Sequence, residues 1–375
     1  MSRAEISILS WLPNEILSTV MKGIADTSPP DLASLCRTSR LINSLATPLL
    51  YRSIVLADAP QIEYFVRTMN DSSGSSPPLC RYVKRLSISD AWSITTPDPD
   101  LKLSPRAYEA ISSVLSKFSA HLEYLDLILL LDRGGALEFI ETLFQDAYFP
   151  SLTFFRYIIQ PQLLPLLSSF LNRHPTITDL SPIQVTDTLE PLPLEPILLP
   201  NLKTYDGAVP LIPSFNLDSG SISRVTLRWR RGNTDIERPL AHLGSTAAPD
   251  TFVGAFGSDT FEHSTVLESV GTHLPDVKTL RLQRTGSTAR VSREETLQIA
   301  TQLKKFTSLS ELEVLNADAR VQQNPDADRE ALLAWGEACQ TLSVITLNGR
   351  ECKLVLGEWI ALQESVASFL SISYS

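Results

Sequence analysis

The sequence predicts an α/β protein with a three-helix N-terminal head and a longer body of parallel strands joined by helical crossovers. Three observations point there. Apolar residues recur at helical spacing between Trp11 and Leu56, a short strand pattern recurs nine times beyond residue 80, and helical patterns fall between the copies. At 375 residues the chain exceeds one ordinary core, and its 43% hydrophobic and 20% charged content is globular.

In the head, Leu12, Ile16, Leu17, Val20 and Ile24 share one helical face, and Pro13 sits where a first-turn proline costs no backbone hydrogen bond. A second helix is expected after Ser28-Pro29-Pro30-Asp31, with Leu32, Leu35 and Cys36 as its apolar face. A third runs over 38–46, carries Leu41, Ile42 and Leu45, and is expected to stop before Pro48. Three short helices bury little by themselves, so part of their apolar surface must face the rest of the chain or a second protein.

The order Leu12-Pro13-x-Glu15-Ile16-Leu17, then Asp31-Leu32-x-x-Leu35-Cys36, then Leu49-Leu50-Tyr51-Arg52 resembles the F-box motif. The resemblance implies a head that docks on a Skp-type adaptor, and through it on a cullin ubiquitin ligase. It places Leu12, Pro13, Ile16, Leu17, Leu32 and Leu35 in or near that contact. The alternative is a head that only caps a repeat array, since terminal repeats need an atypical cover.

In the body, an apolar residue, two variable ones and two apolar residues separated by one recur at Val83, Leu122, Leu152, Ile177, Leu202, Ile222, Val277, Leu309 and Leu342. The starts lie 20 to 55 residues apart, and the longest interval has room for a degenerate copy. Helical patterns at 106–118, 136–144, 163–171, 294–303 and 329–339 separate copies. This body resembles the irregular leucine-rich repeats that follow an F-box in many fungal proteins. A closed barrel or an open doubly wound sheet would also alternate strands and helices, but neither explains so many similar strand cores. The expectation is an F-box-like head over 8–56 and an irregular leucine-rich-repeat-like solenoid over 57–375 that binds a target protein. Pro, Gly and Ser mark loops at 70–78, 95–100, 190–196 and 244–250, and Gly254 to Asp259 reads as a loop as well.

A net charge of −10 opposes nucleic-acid binding. Cys36, Cys80, Cys339 and Cys352 lie far apart, which suits buried thiols in a reducing compartment better than disulfides or a metal site. With no signal-peptide pattern and no apolar run near the roughly 20 residues that span a bilayer, no membrane association is expected, and the chain reads as cytosolic or nuclear. The five histidines form no metal-ligand pair, and the usual nucleophile, phosphate and dinucleotide signatures are missing. The expectation is therefore a protein without catalytic residues, cofactor or metal. Glu294-Glu295 reads as a helix-start pair that favours the macrodipole.

The strands offer a surface. In "ISRVTLRWRR", Val225, Leu227 and Trp229 alternate with Thr226, Arg228 and Arg230, so a period of two sets the arginines opposite the core. The same register exposes Arg85, Tyr124, Asp126, Arg156, Arg281, Glu311 and Glu313. Arg85, Tyr124, Arg156, Arg224, Arg228, Arg230 and Arg281 are the candidate target-binding residues. Among them, Arg224, Arg228, Arg230 and Arg281 read as a basic patch for a carboxylate or phosphorylated segment. The competing reading pairs these arginines with nearby acids. Two functions follow: the recognition subunit of an SCF-type cullin ubiquitin ligase, or a leucine-rich-repeat scaffold outside any ligase.

Overall fold

The computed structural model describes residues 13–71, 78–89, 105–129, 135–184, 194–216, 222–230, 233–257, 260–286, 291–316 and 325–361. Its internal contacts separate two compact units, Met1–Tyr157 and Ile158–Ser375.

The first unit opens with α1 (Asn14–Thr27), α2 (Pro29–Leu35) and α3 (Arg40–Leu50). The Pro13 carbonyl caps α1, accepting from the Ile16 and Leu17 amides at 3.0 and 3.2 Å. Pro29 and Pro30 occupy the first turn of α2, where their missing N–H groups cost nothing, so Ser28 alone connects the two helices. Ser39 caps α3, its Oγ accepting from the Ile42 amide at 3.1 Å. The third helix does not stop before Pro48: it continues to Leu50. Packing of Leu49 and Leu50 against the head core opposes the usual penalty of about 3 kcal/mol for an interior proline.

Leu17, Met21, Leu32, Ile42 and Ala46 form that core. The chain then runs through β1 (Ser53–Leu56), α4 (Ala59–Asp71), β2 (Arg85–Ser89), α5 (Pro105–Phe118), β3 (Tyr124–Ile128), α6 (Ala136–Asp146) and β4 (Phe154–Ile159), with the unit boundary inside β4. β1, β2, β3 and β4 pair in chain order, all parallel. Alternation buries Leu86 and Ile88 on β2 beside Leu125 and Leu127 on β3.

The second unit contains α7 (Leu164–Asn172), β5 (Asp179–Gln184), β6 (Ile197–Leu198), β7 (Thr204–Ala208), β8 (Phe215–Asn216), β9 (Arg224–Arg228), α8 (Glu237–Thr246), β10 (Thr251–Gly257), α9 (His263–His273), β11 (Thr279–Thr285), α10 (Arg293–Leu303), β12 (Glu311–Asn316), α11 (Pro325–Ala338), β13 (Val344–Leu347), β14 (Arg350–Val355) and β15 (Glu358–Ala361). The order β5-β7-β9-β10-β11-β12-β13 is parallel throughout, and β14 and β15 close it as antiparallel strands. Among the described residues, β6 and β8 pair with each other alone.

One hydrogen-bond device recurs between neighbouring strands. The carbonyl just before a strand accepts two amides that lead into the next strand: Arg52 from Lys84 and Arg85, Lys84 from Glu123 and Tyr124, and, in the second unit, Lys278 from Ser310 and Glu311. The chain is thus an α/β protein whose strands are mostly parallel. The long interval after Ile222 does contain a further strand, β10, flanked by α8 and α9. Its Gly254–Gly257 stretch is strand rather than loop, because Phe252 and Phe256 fill the core on either side of Gly254. Of the expected loops, Asn70 and Asp71 end α4, Gly244–Thr246 end α8, and 72–77, 95–100, 190–193 and 258–259 lie outside the described residues. Cys339 and Cys352 are buried, whereas Cys36 and Cys80 are only half-buried.

Candidate functional site

The sheet faces opposite the helices carry most of the expected target-binding residues. On the first unit, Arg85, Tyr124 and Phe154 are register partners on β2, β3 and β4. The Arg85 guanidinium lies 5.5 Å from the Tyr124 ring centroid, and Tyr124 stacks on Phe154 at 4.0 Å with the rings 7° apart. Burial, then the Asp126 charge, raises the Tyr124 phenol above its ordinary value, against the lowering effect of Arg156 and Arg85.

One pleat along, Asp126 is 2% exposed, which corrects its expected place on the surface. Ser87 donates to its Oδ2 at 3.1 Å, and Arg156 donates Nε to Oδ1 at 2.8 Å and Nη2 to Oδ2. A carboxylate buried here needs that fork, so Arg156 is committed to its neighbour rather than to a guest.

On the second unit, Arg224 and Arg228 share one face of β9, with Arg230 two residues further and half-buried. The Arg228 guanidinium donates Nε and Nη2 to Asp206 at 2.8 and 3.1 Å. Arg281 Nε lies 3.2 Å from Glu313 Oε2 across β11 and β12. The expected basic patch is corrected accordingly: two of its four arginines are already neutralised by acids one strand away.

In the head, Leu17 and Leu32 are buried in its own core and Leu35 is half-buried against it, while Leu12 lies outside the described residues. Leu17 and Leu32 close the three-helix core, so they would shape an adaptor contact from beneath rather than line it. The surface of α1 instead presents Ile16 and Val20, 50% and 55% exposed and one turn apart, with Pro13 exposed at its start and Leu41 exposed on α3.

Sequence reasoning missed a buried polar cluster in the second unit. His263 opens α9 and places Nδ1 2.8 Å from Glu295 Oε1, while its backbone N–H donates to the same oxygen at 3.2 Å. Arg284 donates Nη1 and Nη2 to Glu295 at 3.4 and 3.5 Å and Nε to Asn316 Oδ1 at 3.1 Å. Burial raises the Glu295 carboxyl, but the His263 hydrogen bond and the His263 and Arg284 charges outweigh it and leave it below its ordinary value. The cluster ties α9 and α10 to the carboxyl ends of β11 and β12.

Among the described residues, no three His, Cys, Asp or Glu side chains gather as a metal-binding set. No helix of those residues is long and apolar enough to cross a membrane. Compared with known proteins, the chain matches no family model and no curated protein.

Proposed function

We propose that this chain is the target-recognition subunit of an SCF-type ubiquitin ligase, with the head held by a Skp-type adaptor and the strand-and-helix body, read as an irregular leucine-rich-repeat solenoid, holding the target. The carrying observation is the division of labour on α1. Leu17 and Met21 seal the head core, while Ile16 and Val20 stand half-exposed on a helix that has no further need of them. Exposed apolar pairs of this kind suit a partner that buries them. The body supports the reading with polar, aromatic and charged residues arrayed on its sheet faces, where side chains from successive copies can be read together. The chain would act by positioning, and the associated ligase would carry out the chemistry.

The test is co-purification of the full chain with a Skp-type adaptor, beside Ile16→Asp/Val20→Asp with its fold checked by circular dichroism. Capture by the parent and loss in the folded variant is the expected result; failure of the parent overturns it. The second reading is a scaffold outside any ligase, with the head as a cap. It is favoured by the direct run of α3 through Tyr51 and Arg52 into β1, where the Arg52 carbonyl holds the Lys84 and Arg85 amides at 3.0 and 2.9 Å.

A further inference from the structure

A concavity of about 330 Å³ opens on the outward sheet face of the second unit, over β11 to β14. Register places its groups. Glu313 on β12 lies between Arg281 on β11 and Thr346 on β13, and Thr346 in turn lies beside Glu351 on β14.

Three carboxylates and two cations line the space. Arg281 is 3.2 Å from Glu313, and Lys353 Nζ is 3.7 Å from Glu351 Oε1. Glu311 has only the Thr279 hydroxyl, which donates to its Oε2 at 3.3 Å, among the described residues. Burial, and secondarily the like charge of Glu351, push the Glu313 carboxyl above its ordinary value even though Arg281 pulls it down. With Arg281 on Glu313 and Lys353 on Glu351, Glu311 is the one carboxylate of the three that faces no cation among the described residues.

We propose that this concavity receives a lysine or arginine side chain from a basic segment of the protein that the second unit binds, a proposal that rests on reading the sheet face as the target-binding surface. The occupant follows from charge complementarity. A guest ammonium or guanidinium over Glu313 has Glu311 two residues away on the same strand face, about 7 Å along it. Glu351 stands two strands across, roughly 10 Å away, with the Thr346 hydroxyl on the floor between them. An acidic or phosphorylated segment would meet three carboxylates here, with Arg281 and Lys353 already paired.

The probe is a fluorescein-labelled twelve-residue peptide of alternating lysine and serine, titrated by anisotropy against the full chain at near-physiological salt. A glutamate-serine peptide and a phosphoserine peptide of the same length serve as comparisons. The lysine peptide is expected to bind the parent. Glu313→Gln/Glu351→Gln is expected to weaken it about tenfold. Thr346→Arg, which tethers an internal guanidinium between the same two acids, is expected to weaken it similarly and guards against a folding defect in the double variant. Glu63→Gln/Glu138→Gln, an equal charge change on the first unit, should stay within about twofold of the parent.

No binding of the lysine peptide, equal weakening by the control pair, or preference for the phosphoserine peptide would each overturn the proposal. Adaptor capture is read separately on the same preparations. Intact capture with no pocket-dependent peptide binding sinks only this inference, whereas peptide binding without capture sinks the ligase reading and leaves the pocket standing.

Discussion

Arg156 on β4 clamps the buried carboxylate of Asp126 on β3 through two parallel hydrogen bonds, Nε to Oδ1 at 2.8 Å and Nη2 to Oδ2. Ser87 on β2 supplies a third donor at 3.1 Å, so three adjacent strands share one acid. Removing the guanidinium would leave a charge in the interior with one hydroxyl. Arg156→Ala is expected to lower unfolding stability by roughly 3 kcal/mol, measured by guanidinium titration. Arg156→Lys should recover only part of that loss, because an ammonium cannot reproduce the planar fork. A neutral Arg156→Ala would mean that Asp126 is solvated.

Two glutamates of the second unit should respond to pH with opposite sign. Glu295 is held below its ordinary value, so the folded state gives up that proton more readily than the unfolded chain. Its stabilisation is complete above the unreacted value of 4.5 and fades as pH falls below it. Glu313 is raised by burial, so its contribution is best below 4.5 and declines as pH rises through its folded value. Urea midpoints between pH 3.5 and 7 are expected to show Glu295→Gln losing most relative to the parent at neutral pH. Glu313→Gln should compare best with the parent at neutral pH and worse in acid. Parallel curves for both variants would contradict these assignments.

Much of this is legible in the sequence alone, and most of what is not has a common cause. The helices around 106–118, 136–144 and 294–303 announced themselves through amphipathic spacing, and the strand cores through their alternation. Most of the polar pairs are invisible individually, because they join residues one copy apart. Asp126 follows Ser87 by 39 residues and precedes Arg156 by 30, which are the spacings between those copies. His263 and Glu295 are 32 apart, again one copy. Reading charge against the copy interval would have paired Arg156 with Asp126 and Arg281 with Glu313 at once. Pro48 escaped for another reason: local propensity ended α3 there, and the burial of Leu49 and Leu50 against the head core carried it on.

Close strand packing sets a second kind of limit. A Cβ on Gly207 of β7 would run into the backbone oxygen of Pro182 on β5, which cannot move without shifting the strand. At Gly254 on β10 the nearest atom is the Leu282 Cδ2 methyl at 3.1 Å, the end of a flexible side chain. Gly207→Ala is therefore expected to cost more than Gly254→Ala, by about 1–3 kcal/mol for the overpacked site, in a thermal or chemical melt. Equal costs would mean that the β5–β7 spacing yields more easily than its register implies.

The head separates folding from contact at adjacent positions of one helix. Leu17 and Leu32 are buried against Met21, Ile42 and Ala46, so Leu17→Ala or Leu32→Ala removes core volume from a cluster of only a few side chains. Each is expected to cost about 2–5 kcal/mol and to lose head helicity. Ile16 and Val20 lie on the open side of the same helix. Ile16→Asp/Val20→Asp should leave the circular dichroism and the melting profile close to the parent, since surface changes outside packed sites usually stay within about 0.5 kcal/mol. The two sets differ most sharply in adaptor capture combined with fold. If α1 is a docking helix, the aspartate pair abolishes capture in a folded protein, and Leu17→Ala abolishes it only as far as the head unfolds. If the head only caps its own repeats, the parent is not captured either, and the aspartate pair still leaves the fold intact, because Ile16 and Val20 stand 50% and 55% exposed in the chain itself.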